Sequence, residues 1–236
     1  MIQSLMVFTL IVLSALMNLS YGRAAQENHP PSVKITVPAN RTVFKTGTAV
    51  SYQISVADPE DGDSRYDEIN VKEVLLEVKY IRENPGKKGS AGKQVQDDAP
   101  GLSVIAISNC FNCHNFNGKS IGPSFFDISK RYPFTNANTD TLTRRIKNGS
   151  SGIWGKEKMP SHPELDAEQI KATVRWILKN AAARNTSYYN GISGIIQFPE
   201  NRKGVYLLTA SFTDHGIQGA PAKRLKGIDR ITLKLE

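Results

Sequence analysis

The hydrophobic residues of this 236-residue chain change their spacing twice. Towards both ends, apolar residues alternate with polar ones, which is the pattern of half-buried β-strands. In the middle third, apolar residues recur at the 3.6-residue period of amphipathic helices. A fold built only of helices or only of strands cannot satisfy both patterns. The sequence therefore predicts a helical module between two groups of strands.

Three alternating segments precede this module and two follow it, with a shorter candidate at residues 195–198. The alternating residues are Val33, Ile35 and Val37; Val50, Tyr52, Ile54 and Val56; Val74, Leu76, Val78 and Tyr80; Tyr206, Leu208, Ala210 and Phe212; and Ile231, Leu233 and Leu235. Neither group has enough strands for a sandwich, but together they approach the seven of an immunoglobulin-like fold. We expect one all-β sandwich split into residues 30–82 and 192–236.

Stretches of linker composition bound the module. Residues 83–100 are rich in Gly and Lys, and residues 180–191 form a second such stretch. Between them, residues 101–182 are predicted to form a separate all-α domain. Its expected helical segments are 102–108, 142–147 ending at Asn148-Gly149, and a last helix that begins with a capping box of Asp166 and Gln169.

The first residues predict export. Residues 1–25 run apolar from Met6 to Leu19 and then reach small residues, as in a secretory signal peptide. Because no Lys or Arg precedes the apolar run, an uncleaved helix that anchors the chain to a membrane is the alternative. We expect a periplasmic protein, with membrane contact only if this segment is retained.

The formal net charge of +8 raises the question of a nucleic-acid partner. The basic residues are scattered, however, and neither an aromatic-basic RNA signature nor zinc-finger spacing accompanies them. No nucleic-acid partner is expected.

The only two cysteines of the chain, Cys110 and Cys113, form a C-x-x-C-H sequence with His114. Thiols at this spacing can add to the two vinyl groups on one edge of a porphyrin, and the adjacent histidine then binds the iron. Structural zinc would need further ligands, and a thiol redox pair would lie between a strand and a helix of an α/β sheet. Covalent attachment of one haem c is therefore favoured, with zinc and thiol redox chemistry as alternatives.

Met159 lies downstream, in the sequence Lys158-Met159-Pro160. A thioether sulfur on a loop stiffened by proline is a suitable soft sixth ligand for iron. Filling of a core gap is the alternative role for this methionine. After a C-x-x-C-H sequence we favour His114 and Met159 as the two iron ligands.

Residues 101–180 resemble a small class I monohaem cytochrome c of the bacterial c551 or c8 type. The resemblance rests on an ordered set of motifs: Gly101 with an apolar helix, Cys110-Phe-Asn-Cys-His114, Gly122-Pro123-Ser124-Phe125, Gly149-Ser-Ser-Gly-Ile-Trp-Gly155, Met159-Pro160 and Val174-Arg-Trp-Ile-Leu178. It implies that the Pro123 carbonyl accepts a hydrogen bond from His114 Nδ1 and that Trp154 lies against a haem propionate. It also implies that Ile153 and Phe125 form part of the haem wall and that Trp176 packs on the first helix.

Two further expectations concern residues outside this set. His162 is expected to be an exposed loop residue and not a ligand. The acidic residues Asp58, Glu60, Asp61 and Asp63 could hold calcium, but solvated turn chemistry is favoured.

The flanking strands resemble those of PKD-type domains. In that family a strand ending in Ala-x-Asp and a late Gly-x-Tyr strand ending in Thr-Asp recur. Here Ala57-Asp58 precedes a turn, Gly204-Val205-Tyr206 lies where a tyrosine corner would form, and Thr213-Asp214 closes the late strand.

A His/Met-ligated iron has no open position for a substrate, so the resemblance implies outer-sphere electron transfer and no enzymatic activity. The expected partners are redox proteins. Cytochrome and PKD-like strands together resemble the accessory part of periplasmic dehydrogenases, which suggests a quinoprotein sugar dehydrogenase as donor and a terminal oxidase or another cytochrome as acceptor. Basic residues of the module could surround the haem edge and steer an acidic partner: Lys119, Lys130, Arg131, Arg144, Arg145, Lys147, Lys156 and Lys158.

Two other functions are compatible with the sequence. The sandwich could bind a carbohydrate or a cell-surface partner with the cytochrome as an accessory, which clustered aromatic residues on an exposed sandwich face would indicate. Alternatively, the haem could sense redox state or a small gas, which would require Met159 to leave the iron.

Overall fold

The computed structural model describes residues 27–81, 100–198, 202–217 and 224–236. The predicted signal peptide and residues 83–99 of the predicted first linker lie outside the described residues. Pro100, the last residue assigned to that linker, instead begins a helix.

Strands occupy both flanks of the described chain and helices occupy its middle. The strands are β1 (Ser32–Val37), β2 (Val43–Phe44), β3 (Ala49–Asp58), β4 (Gly62–Asp63), β5 (Leu75–Ile81), β6 (Thr186–Asn190), β7 (Ser193–Gln197), β8 (Gly204–Thr213) and β9 (Lys226–Leu235). The helices are α1 (Pro100–Ile107), α2 (Phe125–Arg131), α3 (Asn136–Asn148) and α4 (Ala167–Asn180).

The strands form two sheets, and each sheet combines strands from both flanks. In the first sheet, β3 pairs with β1 and also with β4 and β7. The second sheet has the order β2-β9-β8-β5-β6, with β2 and β9 parallel and the other pairs antiparallel. The predicted pairing of residues 206–212 with a strand from residues 30–82 is observed, because Tyr206 lies opposite Tyr80.

Both sheets contribute to one hydrophobic core. Strand β3 shows why alternation produces this arrangement: Val50, Tyr52, Ile54 and Val56 are buried, while the residues between them are exposed or half-buried. Burying one aliphatic side chain of this kind stabilises the fold by about 1.5–3 kcal/mol. Because the core contains side chains from both flanks, the core requires both flanks of the chain.

Strand β6 corrects the predicted second linker. Thr186–Asn190 pairs with β5 along the edge of the second sheet, so the second group of strands begins at residue 186 and not at 192. Its neighbouring tyrosines face opposite ways, as in any strand. Tyr189 packs against the core between the sheets, whereas Tyr188 packs against the helices.

Two helix boundaries agree with the sequence prediction, the start of α4 and the end of α3. Helix α4 begins with the expected capping box, in which Asp166 Oδ1 accepts from Gln169 N and Gln169 Oε1 accepts from Asp166 N. Helix α3 ends at Asn148, directly before Gly149. Gly101 lets α1 approach α4, since a Cβ at this position would lie 2.1 Å from the Ala172 carbonyl oxygen. Of the helices described, none is both long and apolar enough to cross a membrane.

The helical domain rests on the outer face of the second sheet. Leu75 and Tyr188 from this sheet share a hydrophobic cluster with Phe116 and Trp176. The Tyr188 ring centroid lies 5.4 Å from that of Phe116 and 5.0 Å from that of Trp176. The cores of the two domains are therefore in contact.

Candidate functional site

The C-x-x-C-H sequence forms one tight turn directly after α1. Residues Cys110–Asn112 are a 3₁₀ turn, and the Cys110 carbonyl accepts hydrogen bonds from Cys113 N at 3.2 Å and His114 N at 2.9 Å. The two cysteines form no disulfide with each other, and both are half-buried. This turn brings the two thiols and the imidazole to the wall of one pocket.

The pocket has a volume of about 280 Å³ and lies in the helical domain. All the residues predicted for the haem site line it: Cys110, Cys113, His114, Pro123, Phe125, Ile153, Trp154 and Met159. The tertiary structure thus places together residues that are up to 49 positions apart, from Cys110 to Met159.

The His114 ring is held in one orientation and one tautomer. Its Nδ1 atom lies 2.6 Å from the Pro123 carbonyl oxygen. Because a carbonyl oxygen only accepts, Nδ1 carries the proton, and the neutral ring keeps its lone pair on Nε2. Burial lowers the pKa of His114, which favours this neutral, metal-binding form.

Packing also fixes the plane of this ring. Phe125 stacks on it with ring centroids 5.4 Å apart and 19° between the planes. On another side lies Gly122, where a Cβ would be 2.6 Å from His114 Cε1. The ring therefore occupies space that any other residue at position 122 would fill.

Met159 lies on a loop that hydrogen bonds hold against the rest of the domain. Its N–H donates to the Ser150 carbonyl at 2.9 Å, and its carbonyl accepts from Ser150 N at 3.1 Å. Lys147 Nζ donates to the carbonyl oxygens of Pro163 at 3.0 Å and Leu165 at 2.8 Å. These bonds hold the loop in the position in which Met159 lines the pocket.

His162 differs from its prediction as an exposed residue. Its side chain is only 16% exposed, and it lines the same pocket. The cause is the fold of its loop: His162 N donates to the Ile146 carbonyl at 3.1 Å, which draws the loop onto α3. The ring Nδ1 lies 2.7 Å from Glu164 Oε1.

Trp154 and Arg145 line the pocket, and Arg131 contacts Trp154. The Arg131 guanidinium lies 4.6 Å from the Trp154 ring centroid and donates to the Ile153 carbonyl at 3.2 Å. Arg145 lines the pocket and donates to the Tyr132 hydroxyl at 2.8 Å. Sequence reasoning placed Arg145 only among the basic residues near the haem edge. The sequence signal that could have identified Arg145 is its position in α3, three residues before Asn148-Gly149.

The two alternatives to haem attachment find no support in this geometry. Burial raises the pKa of Cys110 to about 12, whereas thiol redox pairs rely on a lowered thiol pKa. Within the described ranges, no group of three His, Cys, Asp or Glu side chains is arranged to hold a metal ion. Two thiols, an imidazole with its lone pair on Nε2 and a thioether in an apolar pocket are instead the donor set that haem c requires.

The acidic turn of the β domain is engaged with its own surroundings. Asp58 Oδ1 accepts from Glu60 N at 2.9 Å and from Asp61 N at 2.8 Å. Asp63 forms an ion pair with Arg65 at 2.7 Å. These contacts are the turn chemistry that was favoured over calcium.

Known proteins match the helical domain. The family model described as "Cytochrome C oxidase, cbb3-type, subunit III" matches residues 96–177. Cytochrome c-552 of Hydrogenobacter thermophilus is 39% identical over 86 residues, which cover 33% of this chain and 87% of the relative. Cytochrome c-551 of Azotobacter vinelandii is 36% identical over 78 residues, covering 33% of this chain and 94% of the relative.

Among solved structures, wild-type Nitrosomonas europaea cytochrome c552 matches with 34% identity and a TM-score of 0.31, covering 32% of this chain and 94% of that one. The two cytochromes c-552 and c-551 are more than 30% identical to this chain over nearly their whole length. The family model matches the domain that contains the C-x-x-C-H turn and Met159. Through this domain the chain belongs to the class I c-type cytochromes of the c-551 and c-552 kind, electron carriers whose cofactor is a covalently bound haem c.

Proposed function

We propose that the protein is an exported, periplasmic carrier of single electrons, with one haem c attached through Cys110 and Cys113. In this proposal His114 and Met159 hold the iron. The observation that carries it is the convergence of these four side chains on one apolar pocket. The haem iron, when bound, supplies the one-electron couple.

The residues of the pocket have distinct roles in this proposal. Pro123 keeps the proton on His114 Nδ1 and so directs Nε2 into the pocket. The thioether of Met159 is a soft ligand that favours reduced iron and raises the potential. Phe125 and Ile153 exclude water from the pocket, and Trp154 and Arg145 offer donors at its rim.

Charge at the pocket indicates the kind of redox partner. Of the basic residues predicted near the haem edge, Arg145 and Lys158 line the pocket, where Glu157 is the acidic residue among the described lining residues. The expected partners are therefore proteins with an acidic docking surface. The combination of cytochrome and PKD-like strands resembles the accessory part of periplasmic dehydrogenases. On this basis we propose a quinoprotein sugar dehydrogenase as donor and a terminal oxidase or another cytochrome as acceptor. Reduction of the holoprotein by such a dehydrogenase, slowing as ionic strength rises, is the test of the donor.

For the flanking strands we propose an immunoglobulin-like fold of the PKD type. The tyrosine corner supports it: Tyr206, near the start of β8, donates its hydroxyl hydrogen bond to the Arg202 carbonyl at 3.1 Å. Carbohydrate binding by this domain would be indicated by a cluster of exposed aromatic residues on one face of the sandwich. In the described part of the two sheets and their loops, Tyr66 is the strongly exposed aromatic residue, at 70%, and it has no exposed aromatic neighbour.

Acid-acetone extraction of the matured holoprotein tests haem attachment. The haem should remain with the protein, whereas Cys110→Ser/Cys113→Ser should release it into the solvent. Haem that leaves the unmodified protein would contradict the covalent link.

Absorption spectroscopy tests the sixth ligand and separates the carrier from a gas sensor. The oxidised protein should show the weak far-red sulfur-to-iron band, which Met159→Ala should abolish while lowering the potential. The matched control is His162→Gln, which changes the other half-buried potential ligand of that loop and should keep the band. A Met159→Ala protein with an unchanged spectrum, or gas binding by the reduced unmodified protein, would count against the proposal.

A further inference from the structure

A second concave site lies away from the haem pocket, between the helical domain and the second sheet. Its volume is about 670 Å³, within the range of small-molecule sites. One wall is formed by α4 and the start of α1, and the other by the outward face of β5, β8 and β9. We call it the interdomain cleft.

Cations from three elements line the interdomain cleft. They are Lys79 on β5, Arg175 and Lys179 on α4, and Lys226 and Arg230 on β9. Glu77 is the acidic residue among the described lining residues, and its carboxylate is hydrogen-bonded to Tyr188. Among the described lining residues, the cationic side chains therefore outnumber the acidic ones, and the low-dielectric walls of the cleft concentrate their field.

The arrangement on α4 is unfavourable for the helix itself. Arg175 and Lys179 are four residues apart, so their charges lie along one side of the helix. Lys171, four residues before Arg175, forms an ion pair with Glu168 at 3.5 Å. Like charges at this spacing destabilise a helix by about 0.2–0.5 kcal/mol per pair. The other neighbours of Arg175 and Lys179 at three or four residues offer no carboxylate, since they hold alanine, tryptophan or leucine at positions 172, 176, 178, 182 and 183. A bound anion would relieve this repulsion.

The sheet wall supplies hydrogen-bonding groups beside these cations. The pairing register places Glu77, Thr209 and Arg230 in one row across β5, β8 and β9. Thr209 Oγ1 is buried and has no hydrogen-bond partner among the described residues. A buried hydroxyl without a hydrogen-bond partner costs free energy. The Thr209 hydroxyl can therefore donate a hydrogen bond to an acceptor bound in the cleft.

We propose that the interdomain cleft binds a small polyanion, a molecule that carries several phosphate or carboxylate groups. Arg175 and Lys179 contact it from α4, Lys79 and the Thr209 hydroxyl contact it from the sheet, and Lys226 and Arg230 lie beside it on β9. Such a ligand touches both domains at once and holds them in one arrangement.

Calorimetric titration of the full-length holoprotein in about 0.15 M salt tests this proposal, because that ionic strength screens weak, exposed attraction. The probes are inorganic tripolyphosphate and trigalacturonate, which separate a phosphate ligand from a carboxylated sugar. At least one should bind at a single site. Arg175→Gln/Lys179→Gln should weaken binding more than tenfold, and Thr209→Val about fivefold.

Lys34→Gln is the matched control, since Lys34 is an exposed lysine on β1 in the first sheet. It removes one positive charge away from the cleft and should change the affinity less than twofold. The proposal is overturned if neither probe binds at millimolar concentration. It is equally overturned if Lys34→Gln weakens binding half as much, in free energy, as the double variant, because each charge removed would then have the same effect wherever it lies. Binding is measured without electron transfer, so neither result depends on the carrier function.

Discussion

Gly122 controls how closely the backbone can approach His114. A methyl group at this position would lie 2.6 Å from the ring, closer than real Cβ contacts allow. Gly122→Ala should therefore displace the ring from Pro123, shift the absorption bands of the holoprotein and lower its melting temperature. Gly118→Ala is the control, because a Cβ there meets nothing within 4 Å and only its positive φ is strained. Its spectrum should stay unchanged, and equal spectral shifts in both variants would contradict this account.

His215 connects two acidic segments of the β domain. Nε2 lies 2.9 Å from Glu73 Oε2 and Nδ1 lies 2.9 Å from Asp61 Oδ2. The hydrogen bond to Glu73, and next the charges of both carboxylates, raise the pKa of His215 to about 9 from 6.5. A raised folded-state pKa means that the stabilisation is complete below pH 6.5 and disappears as pH rises through about 9.

The expected result is a melting temperature that falls between about pH 7 and pH 10 in the unmodified protein. His215→Gln should be less stable at pH 7 and should lose most of this dependence. His29→Gln is the control, since that imidazole is largely exposed beside Glu60. If the pH dependence of the melting temperature is unchanged in His215→Gln, another titratable group causes it.

At the residue scale, one short motif was sufficient to predict the cofactor, a covalently bound haem c. Cys110, Cys113 and His114 are adjacent in sequence, so no knowledge of the fold was needed to group them. Arg145 and His162 reach the same pocket only because α3 and the following loop fold over it. The spacing of hydrophobic residues along the sequence does not predict that α3 and this loop lie over the pocket.

Among the elements, strand β6 shows how the β domain supports the helical one. Tyr188 lies against Phe116 and Trp176, and Phe116 in turn packs on Phe125, the residue stacked on His114. Tyr188→Ala should lower the free energy of unfolding of the helical domain by about 2 kcal/mol, less than for a fully buried aromatic residue. Melting monitored at the haem absorption band measures it.

Ser187→Ala is the control for this change, because Ser187 is exposed on the same strand. It should alter the stability by less than about 0.5 kcal/mol. If both variants melt at the haem band like the unmodified protein, Tyr188 does not support the helical domain.

Prediction of whole elements depended on their length and burial. Strands β3 and β8 are ten residues long and bury every second residue, so their alternation is visible in the sequence. Strand β6 has five residues, all half-buried except the exposed Ser187, which leaves no alternation to detect. The two-residue strands β2 and β4 exist only through their pairing with neighbours. Helix α2 was also missed, although Ser124 and Asp127 have the spacing of a capping motif.

At the scale of the whole molecule, the helical domain occupies the connection between two strands that are neighbours in one sheet. Strands β5 and β6 pair antiparallel with Lys79 opposite Thr186, and Tyr80 N donates to the Asn185 carbonyl at 2.8 Å. Continuing this register places Ile81 opposite Arg184. The two ends of the insertion are therefore as close as the ends of a β-hairpin.

This closeness predicts that the β domain can fold without the insertion. Replacing residues 82–183 by Asn-Gly should give β5 and β6 a two-residue turn of the type that hairpins favour. We expect cooperative thermal unfolding with a β-type circular dichroism spectrum, because both sheets and their shared core are retained. By contrast, residues 27–81 alone should not fold, since β5 would lack both of its partner strands, β6 and β8.

The shortened chain exposes Leu75 and Tyr188, which the helices normally cover. Aggregation through these two side chains is separable from failure to fold by adding Leu75→Ser and Tyr188→Ser, which restore a polar outer face. A shortened chain that remains unfolded with these two substitutions would show that the β domain needs the helical domain to fold. Cooperative unfolding would show that the cytochrome is an insertion into an autonomous β domain.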